Sequence, residues 1–230
     1  MQPKRFDGYQ AFQYLEPGVD YRPFKLAKQL GRVEPYVVEV SEAQEERVQR
    51  LLRENLVISL HEHPEIFPED PQEFLEYSRE GRGFIAYEAL AQSGLDCLFD
   101  NMMDGTAIIT SKRGWKWLDV IHDLGMRLSD IDHQDFVIVA RRVDDILRAK
   151  ENGQLAFVMT LESSTPIENE LERIEILYGL GVRMMGIAYS EANALGAGLR
   201  EPNDGGLTLF GREAVADEQD WHGHRHLPLR

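Results

Sequence analysis

The sequence of 230 residues has little cysteine, few basic residues and no long apolar run. Its single cysteine, Cys97, excludes an internal disulfide and a cysteine-based metal cluster. With 25 basic and 40 acidic residues the formal net charge is -15, which disfavours nucleic acid as a partner because phosphate is also negative. No run reaches the roughly 18 to 20 apolar residues of a membrane span, and no secretory signal begins the chain. A cytoplasmic protein without membrane attachment is therefore expected.

The sequence does contain enough apolar material for a folded core. Hydrophobic residues make up 43% and charged residues 28%, as in soluble globular proteins and unlike disordered ones. Residues 1–40 mix aromatics, prolines and charges without periodicity, and they are interpreted as an irregular N-terminal extension. Residues 41–216 are predicted to form the folded part.

Short apolar runs alternate with helical patterns along this folded part. The first helix is predicted from Ser41, whose capping box precedes an apolar stripe, to about Asn55. Further helices are predicted at 71–80, 86–92, 115–124, 137–150 and 167–177. Strands are predicted at 56–60, 95–99, 155–161 and 182–188. Strands separated by helices of this length indicate parallel βαβ units, arranged in a doubly wound sheet or a barrel.

Two histidines follow the first predicted strand. His61 and His63 come directly after the apolar run 56–60, which is interpreted as a buried strand. Side chains two apart on an extended chain point the same way, so both imidazoles can reach one metal ion, and neutral imidazole suits zinc. The alternative interpretation is a polar turn with two solvated histidines.

Glu162 and Tyr189 follow two later strands. A carboxylate after strand 155–161 can bridge two metal ions through its two oxygens, whereas the alternative is a glutamate that caps the next helix. In a (β/α) barrel the carboxyl ends of the strands form the active-site face, where side chains distant in sequence converge. We therefore expect the two histidines and Glu162 to meet at one rim of a parallel sheet, with Tyr189 at the end of a neighbouring strand.

The segment from Val139 to Val215 contains a set of spaced motifs: Asp144-Asp145-Ile146 through Gly153, Leu161-Glu162, Ile167-Glu168, Tyr178-Gly179-Leu180-Gly181-Val182-Arg183, Asn193, Gly205-Gly206-Leu207-Thr208 and Phe210-Gly211-Arg212. In these residues the chain resembles the renal (membrane) dipeptidase family of zinc metallopeptidases. The blocks YGLGVR and GGLTLFGRE are specific, because their glycines and spacing recur together. The strand before His61 also resembles the family's first barrel strand.

This resemblance implies a (β/α) TIM-type barrel of the metal-dependent hydrolase kind with two zinc ions. It implies that His61 and His63 hold one zinc, and that Glu162 bridges both ions and is catalytic. The family usually has an aspartate where this chain has His63, and a substrate-contacting histidine where it has Tyr189, which is therefore a candidate substrate-binding residue. The implied reaction is metal-assisted hydrolysis of a dipeptide or a similar small amide.

The last residues, ADEQDWHGHRHLPLR, depart from the family pattern. Their histidines, His222, His224 and His226, form an H-x-H-x-H pattern that is interpreted as a false metal site. A back-translation of 217–230 read one base later encodes MNRIGMAIDISHC, which resembles the family's continuation toward a ligand histidine. We therefore expect a frameshift near Ala216 or Asp217, which makes 217–230 a non-native tail.

The consequence is an incomplete barrel. A closed barrel needs roughly eight strands, and four or five are predicted before the tail. The chain alone is therefore expected to bind metal weakly and to be inactive, and an open sheet edge leaves a homo-oligomer as one outcome. Two alternatives stay open: another barrel metallohydrolase acting on a lactone or cyclic amide, and a non-catalytic truncated protein that binds a partner through its sheet edge.

Overall fold

A computed structural model describes residues 4–80, 82–102 and 115–221, and the side chains among them up to residue 216. The chain divides into two compact units, Met1–Asn101 with His122–Met159 and Met102–Ile121 with Thr160–Arg230. The helices are α1 (Glu42–Glu54), α2 (Phe74–Arg79), α3 (Tyr87–Gln92), α4 (Trp117–Asp132), α5 (Val143–Glu151), α6 (Glu172–Leu180) and α7 (Leu209–Trp221). Short 3-10 turns lie at Pro71–Glu73 and Thr165–Ile167.

The strands form a largely parallel sheet. They are β1 (Ile58–Glu62), β2 (Glu65–Ile66), β3 (Phe84–Ile85), β4 (Cys97–Met102), β5 (Val137–Val139), β6 (Leu155–Leu161) and β7 (Val182–Met185). Among the described residues the strand order is β1-β4-β6-β5, and β7 also pairs with β6. The pairs β1–β4 and β5–β6 are parallel, whereas β2 and β3 form a separate antiparallel ribbon.

Small side chains let a helix pack closely against the sheet in the first unit. The buried cluster joins Cys97 of β4 and Ala156 of β6 to Ala149 of α5. Every residue of β6 is buried, as expected for a central parallel strand covered on both faces. This packing places α5 against β4 and β6, and the candidate residue Glu162 directly follows β6.

A buried carboxylate attaches the N-terminal segment to the first unit. Asp130, on α4, is fully buried and accepts hydrogen bonds from the hydroxyl of Tyr9 at 2.8 Å and that of Tyr87 at 2.9 Å. The backbone N–H of Phe12 donates to the same carboxylate at 2.7 Å. Burial raises the pKa of Asp130 above its ordinary value, although these hydrogen bonds act in the opposite direction.

The second unit holds the end of β6 beside β7. The backbone N–H of Gly186, just after β7, donates to the Leu161 carbonyl at 3.0 Å, and Ser164 Oγ donates to the Gly186 carbonyl at 2.7 Å. A side chain at position 186 would collide with the Glu162 carbonyl. Only glycine therefore allows this close approach.

The predicted helix over 137–150 is wrong in its first part. Residues Val137–Val139 form β5, and the helix begins only at Val143. The Asp145 carboxylate accepts hydrogen bonds from the backbone N–H groups of Arg141 and Arg142, both at 2.9 Å, and so caps the helix start. β-Branched residues before this cap favour the strand.

The prediction of a buried first strand is also wrong. In β1, Ile58 is 41% and Leu60 67% exposed, because β1 lies at the edge of the described sheet. The helix before it has the predicted capping box of Ser41 and Gln44, yet none of its residues is buried. The apolar residues of this edge are therefore uncovered in the described part of the chain.

Candidate metal centre

His61 and His63 converge at the end of β1. Their Nε2 atoms lie 3.2 Å apart, and the two rings meet edge to face at 87°. Two nitrogens bound to one tetrahedral zinc at about 2.0–2.1 Å are separated by about 3.3 Å. The separation of the two nitrogens therefore matches the spacing that a single metal ion requires.

An irregularity in β1 sets the direction of these side chains. The register pairs Ser59 with Leu98 but Glu62 with Asp100, so one extra residue lies in β1 between the two pairs. Such bulges are frequent next to active sites, where they redirect a side chain. Here the bulge lies between Ser59 and Glu62, an interval that includes His61.

A backbone carbonyl fixes the tautomer of His63. Its Nδ1 lies 2.7 Å from the carbonyl oxygen of Asn101, and because a carbonyl oxygen can only accept, Nδ1 must carry the proton. In the neutral ring Nε2 is then the unprotonated nitrogen, the form that binds a metal ion. This Nε2 is the atom that faces His61.

Sequence reasoning missed Asn101. Its side-chain amide nitrogen lies 3.4 Å from His61 Nδ1 and 3.5 Å from His61 Nε2, and the residue is 4% exposed. The predicted strand ended at residue 99, whereas β4 continues to Met102. A strand two or three residues longer would have identified Asn101 as a neighbour of the histidines.

A buried ion cluster lies beside His63. Arg127 Nε is 3.2 Å from Asp100 Oδ2, and Arg127 Nη2 also pairs with Glu65 Oε1. Burial raises the pKa of Asp100 to about 6, although the charge of Arg127 acts in the opposite direction. Arg127 was also missed, since the predicted helix ended at residue 124, whereas α4 continues to Asp132.

Glu162 belongs to the second unit, where it directly follows β6. Its backbone N–H donates to the Met102 carbonyl at 3.2 Å, and the residue is partly exposed. The next residue, Ser163, accepts a hydrogen bond on its Oγ from the backbone N–H of Thr165 at 3.1 Å. Ser163 thus provides a side-chain acceptor for the turn that follows, the role considered as an alternative for Glu162.

Tyr189 lies after β7 in the second unit and is 37% exposed. Its carbonyl accepts a hydrogen bond from Leu199 N–H at 2.8 Å. Nearby, the Asn193 side chain donates to the Ile187 carbonyl at 2.8 Å and accepts from Leu195 N–H at 2.8 Å. These bonds order the loop that carries Tyr189.

One feature singled out in the sequence lies outside the described residues, the tail histidines His222, His224 and His226. Helix α7 is described to Trp221, and its side chains to residue 216.

Solved structures show the fold class. An amidohydrolase from Pseudomonas aeruginosa matches with a TM-score of 0.53 and 24% identity, over 76% of this chain and 46% of that chain. The probable dipeptidase PvdM from Pseudomonas aeruginosa matches with a TM-score of 0.53 and 19% identity, over 76% of this chain and 47% of that chain. These likenesses confirm the α/β fold class predicted as an incomplete barrel. The chain spans just under half the length of these relatives.

A family model identifies the relationship. The model of membrane dipeptidase, peptidase family M19, matches residues 45–222. The chain therefore belongs to the membrane dipeptidase family, and the predicted class of metallopeptidase-type hydrolase is confirmed at the level of the family. A comparison with curated proteins finds no match. Within the described part of the chain, no helix combines the length and apolar composition that crossing a membrane requires.

Proposed function

We propose that the chain supplies part of the zinc centre of a dipeptide hydrolase. The observation that carries this proposal is the histidine pair, whose Nε2 atoms are 3.2 Å apart, with the His63 proton held on Nδ1 by Asn101. His61 and His63 would hold one zinc ion. Glu162, at the carboxyl end of β6, would bridge it to a second ion, the role that family membership supports.

In this proposal the described residues have separate roles in hydrolysis. When bound, zinc supplies Lewis-acid chemistry that polarises a scissile carbonyl. Glu162 would orient the attacking water and accept its proton, since a carboxylate can act as general base. Tyr189 would donate a hydrogen bond from its hydroxyl to the substrate. Asn101 keeps His63 in the tautomer that the centre needs.

The proposed substrate is a dipeptide or a similar small amide, because the chain belongs to the membrane dipeptidase family. One alternative substrate class, a lactone or cyclic amide, is favoured by the histidine at position 63 and the tyrosine at position 189, which differ from the residues the family resemblance leads us to expect. The proposal includes a cytoplasmic location. The single cysteine, Cys97, is a buried free thiol, as is common in the reducing cytosol.

We further propose that the 230-residue chain alone has little activity. The matched part of the chain covers 46% and 47% of the lengths of two solved relatives. The apolar residues Ile58 and Leu60 of edge strand β1 are 41% and 67% exposed. The rest of the ligand set would then have to come from further sequence.

Two experiments test this function. The gene is sequenced across codons 215–230, and the purified 230-residue chain and any longer reading frame are assayed with zinc on dipeptides, lactones and cyclic amides. We expect dipeptide hydrolysis by the longer protein, its loss in Glu162→Gln, and little turnover by the short chain. Lactone hydrolysis without dipeptide hydrolysis would replace the proposed substrate. Robust turnover by the short chain would contradict its proposed inactivity.

A further inference from the structure

We propose that Arg127 is a positioning residue that keeps His63 in the tautomer and orientation that bind metal. This inference rests on the proposed metal site, but its test is separable because the tautomer exists without metal. Arg127 does not contact the reacting atoms. It acts through the two chain segments that meet at His63.

Arg127 joins these two segments. On one side it pairs with Glu65, two residues after His63, and on the other with Asp100, the residue before Asn101. The Asn101 carbonyl oxygen in turn accepts a hydrogen bond from His63 Nδ1–H, with 2.7 Å between oxygen and nitrogen. The segment that carries His63 and the segment that carries its hydrogen-bond acceptor are thus both paired with one guanidinium.

The chemistry of arginine suits this bridge. The planar guanidinium presents donors in a fixed fork, and here Nε faces Asp100 while Nη2 faces Glu65. Lysine offers one compact charge on a flexible stem, which cannot reproduce the fork. The cluster is also protected from solvent, with the Arg127 side chain 4% and the Asp100 side chain 0% exposed, so water does not screen it.

Gly83 provides a second, independent observation. A side chain at this position would collide with the Glu65 carboxylate. The absence of a Cβ at residue 83 leaves room for the carboxylate in the position where it faces Arg127. Replacing Gly83 would displace Glu65 without removing any charge from the cluster.

A buried ion cluster could instead serve stability alone, since removing one partner of a buried ion pair strongly destabilises the fold. The two roles predict different results for His63. A purely structural role leaves the His63 tautomer unchanged in a variant that still folds. A positioning role changes the tautomer ratio before the fold is lost.

The test is nitrogen NMR of the histidine rings in the metal-free chain, above the ordinary histidine pKa of about 6.5. The variants are Arg127→Gln, Arg127→Lys and Gly83→Ala, with the exposed Arg148→Gln as matched control and His63→Ala to assign the signal. Circular dichroism checks that each variant folds, and calorimetry measures its zinc affinity.

We expect His63 to be protonated on Nδ1 in the wild type and in Arg148→Gln, and to become a mixture of tautomers in Arg127→Gln. Arg127→Lys should not restore the wild-type signal, and zinc affinity should fall about tenfold, as for other groups that orient a metal ligand. Should Arg127→Gln not fold, Gly83→Ala decides with the same signal. An unchanged His63 signal in a folded variant overturns the proposal. A changed signal in a chain that never binds zinc supports positioning while contradicting the metal function.

Discussion

The Nδ1 atom of His63 lies 2.7 Å from the carbonyl oxygen of Asn101, which joins the residue after β1 to the end of β4. The contact depends on β1 and β4 being neighbours with a one-residue bulge, because the bulge brings position 63 beside position 101. The metal-binding form of the histidine is therefore a property of the sheet register.

The glycine that lets β7 approach Glu162 provides one prediction. Gly186→Ala should destabilise the chain by about 1–3 kcal/mol, because the new methyl group would overlap the Glu162 carbonyl, a backbone atom that cannot move away independently. Gly179→Ala is the matched control: Gly179 lies in α6 with open space around it, so alanine should stabilise by about 0.5–1 kcal/mol. Urea unfolding measures both, and equal effects would contradict the prediction.

The hydrogen bonds to Asp130 provide a second prediction about stability. Tyr9→Phe should lower the free energy of unfolding by about 1.5–3 kcal/mol, because the buried carboxylate loses a donor at 2.8 Å. In the control Tyr36→Phe the side chain is 93% exposed, and the change should stay within about 0.5 kcal/mol. Denaturant unfolding compares them, and a Tyr9 variant as stable as the Tyr36 variant would show that the bond contributes nothing.

Asp100 gives stability a defined pH dependence. Its pKa is raised from 3.8 to about 6 in the folded chain, so between these values the folded state binds more protons than the unfolded state. The contribution of this group to stability is full below the unfolded pKa and is lost as the pH rises through about 6. The loss is about 3 kcal/mol at 1.36 kcal/mol per pKa unit.

Asp100→Asn removes that titration. Relative to this variant, the wild type should lose stability between a pH of about 4 and about 6 and show no further relative loss above that range. Urea unfolding at several pH values measures the free energy of unfolding of both proteins. Taking the difference between them cancels the contribution of the histidines, which both proteins share. Parallel stability curves would mean that Asp100 keeps its ordinary pKa.

Local patterns in the sequence predicted part of the fold. Strand 155–161 was placed with the bounds of β6, because its continuous apolar run is enclosed by polar residues. The capping box at Ser41 was correct because it involves residues three apart. Strand β5 was missed because its three residues merge with the helix that follows, and only the Asp145 cap separates them.

The candidate site also contains residues that local patterns indicate and residues that they do not. His61 and His63 were proposed from the sequence because their spacing of two on a strand is a local signal that reports a shared direction. Asn101 and Arg127 were not, because their roles depend on contacts with residues 38 and 62 positions away in the sequence. Spacing within a segment cannot show such contacts.

Zinc titration of the purified chain tests the central claim most directly. His222→Ala, His224→Ala and His226→Ala are first introduced together so that the tail does not bind the metal. Calorimetry then compares this chain with versions that add His61→Ala, His63→Ala or, as control, the exposed His133→Ala. We expect the first two to weaken zinc binding by at least about 100-fold, beyond the loss typical of groups that only orient a ligand, and the control to bind as its parent. Equal zinc affinity in all four proteins would show that the histidine pair is not a metal site.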